Sequence, residues 1–173
     1  MKKFLSILSI LSILSILVLA LLVTACGSDS SEKKSEKKEE KMETVTYVAD
    51  ISGAKLEATF SHVGDNLRKV DQKMVYPYAA LGIENVTKLD DGMKKQLEEQ
   101  VASQYAAYKD SKGASLETKF TDEALELTMS VDLYKADKDS VASLLGGTTD
   151  PKNVSLKETV KQFEAQGFKK KES

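Results

Sequence analysis

Among side chains able to bind a metal or move a proton, the chain offers one imidazole, His62, with Asp65 and Asp71 close behind it. Imidazole and carboxylates together are a common donor set for divalent metals. The spacing argues against that use: His62 and Asp65 straddle a turn, Asp71 falls on the polar face of the next strand, and no second histidine exists. Paired carboxylates at Asp90-Asp91, Glu98-Glu99 and Asp122-Glu123 could suggest acid/base work, which needs two groups in contrasting environments. Each pair falls instead in a cap, on an exposed helical face or in a turn. A serine activated by His62 would lack a nucleophile-elbow motif, and Gly146-Gly147-Thr148-Thr149 lacks the lysine and glycine spacing of a phosphate loop. With no tryptophan and a single arginine, Arg68, the chain is short of groups from which active sites are assembled. The expectation is a protein that is not an enzyme, with no catalytic, cofactor-binding or metal-ligating residues.

Tyr76, Tyr78, Tyr105 and Tyr108 are the one aromatic concentration. Tyrosine has a large apolar body and a polar tip, which suits either a core seam or a contact surface. If the domain binds a partner, the surface is expected at Tyr76 and Tyr78, because Pro77 interrupts a strand ladder there and a loop to Asn85 follows.

The remaining reactive group is Cys26, the only cysteine, so no intramolecular disulfide can form. It ends a segment of distinct character. Lys2 and Lys3 precede an apolar run from Phe4 to Val23 that contains four Leu-Ser-Ile copies, the layout of an export signal. Val23-Thr24-Ala25-Cys26 then resembles a bacterial lipobox, with cleavage between Ala25 and Cys26 and diacylglycerol on the sulfur. Two acyl chains supply the double anchoring that one chain does not. The alternative, an uncleaved membrane-spanning helix, leaves the terminal cysteine and the small residues before it without a purpose. The following stretch to Glu43 is a Ser-Glu-Lys-rich segment in which five glutamates match five lysines between Glu32 and Glu43. Such a segment cannot bury a core, and as a flexible coil of about 17 residues it reaches roughly 23 Å. The expected organisation is a signal peptide over 1–25, a lipidated Cys26 and charged tether over 26–43, and one globular domain over 44–173. The formal net charge of −2 offers nothing to draw nucleic acid.

From Thr44 the pattern alternates. Val45, Tyr47, Ala49 and Ile51 predict one strand; Leu56, Ala58, Phe60 and His62 the inward face of a second; Val70, Met74, Tyr76 and Tyr78 that of a third. Met93, Leu97, Val101, Tyr105 and Tyr108 fall on one helical stripe over 91–112, with Asp90 or Asp91 as cap and Gly113 as stop. Leu116, Thr118 and Phe120, then Leu125, Leu127, Met129 and Val131, predict two more strands. A short helix is expected from Asp139 to Gly146, and a final one from the Ser155/Glu158 capping box to Gly167. The order βββ-α-ββ-α-α implies an α+β domain: an antiparallel sheet of about five strands, one face covered by helices and the other wet.

The run Ala58-Thr59-Phe60-Ser61-His62-Val63-Gly64-Asp65, its place after a lipobox and charged tether, the helix rich in Gln and Tyr, and the ending Gln166-Gly167-Phe168-Lys169 resemble the YehR-like family of small bacterial lipoproteins. The resemblance covers residues 44 to 170 and implies an α+β lipoprotein domain without an assigned activity or site residues. The function expected is a non-catalytic binding or interaction module, lipid-anchored on the extracytoplasmic face of the cell membrane. Its rivals are a small envelope enzyme with a carboxylate or tyrosine site and a purely structural envelope component. Replacing Cys26 by Ala should leave an unlipidated precursor. Intact mass of the membrane-extracted protein checks this: a wild-type species that retains Met1 to Ala25 contradicts the lipid anchor.

Overall fold

Period-two alternation builds a sheet whose inward residues meet in register. The computed structural model describes residues 41–83, 89–137, 139 and 150–172. The strands are β1 (Glu43–Ile51), β2 (Ala54–Val63), β3 (Asn66–Pro77), β4 (Ala114–Phe120), β5 (Ala124–Asp132) and β6 (Lys169–Lys170). The helices are α1 (Asp91–Gln104), α2 (Ala106–Asp110) and α3 (Leu156–Ala165). A single antiparallel sheet runs β4-β5-β3-β2-β1-β6. The expected five strands are present. The sixth, two residues beyond the last helix, is too short to leave a period in the sequence. The helix expected from Asp139 to Gly146 lies, apart from Asp139, outside the described residues, as does the segment preceding Lys41.

Cross-strand rows show how the two faces separate. Tyr47, Ala58, Gln72 and Met129 align on one face, as do Ala49, Leu56, Met74 and Leu127. Most of these side chains are buried, and they share a core with Leu97, Val101 and Tyr105 of the α1 region and with Phe163 of α3. The intervening residues form the open face, as expected for an antiparallel sheet covered on one side. Gln72, passed over by the apolar pattern, is nonetheless buried at the centre of the closed face.

Helix ends follow the local chemistry of the chain. The Asp90 side chain accepts from Met93 N at 2.8 Å, capping α1. The long helical stripe breaks at Tyr105, so α1 and α2 are separate elements. Ser155 Oγ accepts from Glu158 N at 3.2 Å at the start of α3, and Gly167 follows its end at φ +93°. Of the expected α3 core residues, Phe163 is fully buried, Leu156 and Val160 are half-buried, and Thr159 is also enclosed.

A β-bulge sits where β2 turns into β3. Ser61 pairs with Lys69 and His62 with Leu67, so Arg68 has no partner across the ladder. The bulged strand bends there. His62 keeps the inward register but lies half-exposed at the sheet end, and its Nδ1 donates to Gly64 O at 2.8 Å.

The third strand differs from expectation at its far end. Pro77 does not interrupt the ladder: it pairs with Ala124, and Tyr78 N donates to Glu123 O at 3.0 Å. The β2 partner has already ended at the Lys55–Val75 pair, so the missing proline N–H falls on a side with no carbonyl to satisfy. Tyr76 and Tyr78 are therefore interior, 3% and 5% exposed, rather than displayed on a loop. Tyr78 OH donates to Thr121 O at 2.6 Å and Tyr76 OH to Met74 Sδ at 3.4 Å. Burial pushes the Tyr76 phenol up to about 12, with a smaller opposing influence from nearby Tyr105. Burial also raises Tyr105, helped by Tyr76 and Tyr108.

This seam fixes an alkaline limit. Below the ordinary phenol value of 10.0 both folded and unfolded chains keep their protons; above it the unfolded chain releases them while folded Tyr76 holds its own to about 12. Stability is thus complete below that window and falls as pH rises through it. Tyr76→Phe should remove about 2 to 3 kcal/mol of the alkaline loss and change stability at neutral pH far less. Denaturant melts at neutral and alkaline pH check this; equal alkaline loss in both proteins would put the Tyr76 hydroxyl in water.

Candidate functional site

The residues whose types suggested metal or acid/base chemistry have little left to offer a ligand. His62 holds Gly64, Asp71 pairs with Lys69 at 2.7 Å, and Asp65 serves α3: its carboxylate accepts from Ser155 Oγ and Lys157 N, both at 2.8 Å. The three residues that could have suggested a metal site are therefore engaged apart from one another. Among the described residues no group of three or more His, Cys, Asp or Glu is placed to hold a metal ion. Asp90-Asp91 lies at a helix cap, Glu98-Glu99 on an exposed helical face and Asp122-Glu123 in the β4–β5 turn. Ala25 and Cys26 lie outside the described residues.

The open face is different. Thr46, Thr59, Asp71 and Ser130 form one cross-strand row, Val48, Glu57, Lys73 and Thr128 the next, and Asp50, Lys55, Val75 and Glu126 the third. At the hairpin end of these rows is a shallow depression of about 710 Å³. Val48 and Val75 supply half-buried apolar surface, and Lys55, Lys73, Asp50 and Glu57 surround it. Lys169 joins the lining because β6 pairs it with Val48.

Charge is unevenly satisfied around this depression. Glu57 is held by Lys171 at 2.7 Å and Lys73 by Glu126 at 3.4 Å, each pair joining an exposed lysine to a half-buried glutamate. Lys55, Lys169 and Asp50 have no ion pair among the described residues. The arrangement suits a solute with an apolar body and charges of both signs: valines provide contact area, and mobile lysines and carboxylates adjust to polar ends.

Of the two uses open to Tyr76 and Tyr78, core seam or contact surface of a binding module, the structure shows the core seam. The usable signal lay on the other register. Val48 and Val75 are apolar residues at positions where their strands otherwise turn polar side chains to water. The contribution of Lys169 had no sequence signal, because it depends on β6.

A comparison with a solved structure agrees with the fold. An NMR structure of the YehR protein from E. coli matches with a TM-score of 0.60 at 20% identity, covering 77% of this chain and 93% of that one. An NMR structure of a protein from Streptococcus pneumoniae TIGR4 matches with a TM-score of 0.49 at 16% identity, covering 86% of this chain and 99% of that one. No curated protein matches. The family described as "Protein of unknown function (DUF1307)" matches residues 43–169, from the start of β1 to the first residue of β6, and this chain belongs to that family.

Proposed function

We propose that the chain is a lipoprotein anchored on the extracytoplasmic face of the cell membrane, and that its domain is a non-catalytic binding module whose contact surface is the open face of the sheet. The observation that carries this reading is the depression of about 710 Å³ with valines between charges of both signs. Its place along the strands supports the reading. The tether joins β1 at Glu43, whereas Asp50 lies near the opposite end of that strand, about 23 Å away at roughly 3.3 Å per residue. A domain held by Cys26 would thus carry the depression away from its anchor.

The mixed charge favours short zwitterionic peptides over a polyanion such as nucleic acid. Thermal-shift screening of tripeptides and tetrapeptides should yield stabilising ligands. Reversing Lys55 and Lys169 to Glu should weaken binding of such a peptide at least tenfold while shifting stability by no more than about 0.5 kcal/mol, as usual for exposed positions. Undiminished affinity in the double variant contradicts the open-face assignment, and peptide turnover in the same assay contradicts the non-catalytic reading.

A further inference from the structure

The opposite end of the sheet holds a cation that has no ion pair among the described residues. Arg68 is the only arginine, and the bulge frees it from cross-strand pairing with β2. Its carbonyl accepts from Leu133 N at 2.9 Å, fixing the backbone against the end of β5. The guanidinium lies over the Tyr134 ring, with Cζ 3.9 Å from the centroid.

Tyr134 is itself held in place. Asp132 Oδ1 accepts from Tyr134 N at 3.1 Å and from Lys135 N at 3.2 Å, and Ala136 N donates to Asp132 O at 2.9 Å. Gly113 packs against this turn so closely that a Cβ there would stand 2.7 Å from Ala136 N. The backbone that carries the ring beneath Arg68 is therefore fixed, while the ring itself is exposed.

Among the described residues the guanidinium has no hydrogen bond or ion pair. Its Nε is buried without a partner, and the residue as a whole is half-buried. The flanking charges are already matched: Lys69 with Asp71 at 2.7 Å, Lys135 with Asp132 at 3.0 Å. Arg68 therefore stands as an uncompensated, oriented fork. Two parallel N–H donors on a rigid plane fit the oxygens of an oxyanion, and stacking on an aromatic ring limits the conformational loss on binding.

We propose that Arg68, stacked on Tyr134, is a phosphate-binding site at the tether end of the open sheet. The location follows from register: Glu43, the first residue of β1, lies opposite His62, and His62 lies opposite Leu67 beside Arg68. Phosphate can come from free phosphate or from a lipid headgroup. The headgroup source rests on the membrane-anchored reading above; the phosphate site does not, nor does it depend on the distant depression.

The single arginine makes the test direct, because its Nε–Hε pair gives one signal in a ¹H–¹⁵N spectrum of the full chain. In maltoside micelles, inorganic phosphate should shift that signal and the Leu133 and Tyr134 amides saturably. Chloride at matched ionic strength should not, and acetate, a carboxylate with a single charge, should shift them more weakly than phosphate. R68K, which keeps the charge but loses the fork, should weaken binding at least tenfold as read from those amides. In phosphatidylglycerol nanodiscs without added phosphate, the same shift identifies the headgroup as the source, and its absence there beside a response to free phosphate identifies a soluble ligand. No saturable shift in either setting, an equal response to chloride or acetate, or wild-type phosphate binding by R68K overturns the proposal. The wild-type spectrum decides the matter even if R68K does not fold.

Discussion

The structure depends on the junction between the β2–β3 turn and α3. Phe163, fully buried, meets Phe60 of β2 edge-on at 4.9 Å and Phe168 at 4.8 Å, while Tyr47 of β1 reaches Phe60 at 6.0 Å. Such aromatic contacts contribute about 0.5 to 1.5 kcal/mol each beyond the apolar area they bury. The same turn supplies the polar half of the junction. Asp65 accepts from Lys157 N through its carboxylate and from Leu156 N through its carbonyl, and Ser155 accepts from Glu158 N. The N–H groups that open a helix have no partner within it, and here three of them are satisfied, with a negative charge at the favourable end of the helix dipole. Gly64, at φ +58°, lets the chain turn tightly enough to bring Asp65 there.

With α3 seated, the rest of the asymmetry follows. Leu67 N donates to Val154 O, tying the start of β3 to the segment leading into α3. Beyond the helix, Gly167 reverses the chain, Phe168 returns to the core, and Lys169 and Lys170 pair with β1. That short strand covers part of an otherwise free edge, a common protection against pairing between chains. The other edge, β4, carries exposed Glu117 and Lys119, which serve the same end by charge. One face is filled by helices and tyrosines; polar rows and a depression occupy the other, and the guanidinium of Arg68 lies at the sheet end over Tyr134.

Much of this was legible in the chain, for identifiable reasons. Leu127, Met129 and Val131 alternate without exception in β5, Asp90 and Ser155 cap the helices expected of them, and Gly167 follows α3 as a stop. These are local rules, each read within a few residues. The misses are tertiary. Tyr76 and Tyr78 share an inward register with Met74, but whether a strand end is covered depends on Leu81, Leu89 and α1, which period-two spacing does not encode. Arg68 as the bulged residue, Asp65 as the cap of a helix some ninety residues away and β6 as a strand depend likewise on contacts between distant segments. The run from Ala58 to Asp65 that carries the family resemblance contains Phe60, Gly64 and Asp65 of the junction, so its residue types answer to folding before they answer to any ligand.

A double-mutant cycle on Phe60 and Phe163, each changed to Leu, tests the junction most directly. Measured by denaturant melts, the pair should show a coupling of about 0.5 to 1.5 kcal/mol, because the edge-on contact is lost once in either single variant and cannot be lost again in the double one. Losses that add to within about 0.3 kcal/mol would mean that the two rings stabilise the fold separately, and that the β2–β3 turn and α3 are not held together by their aromatic contact.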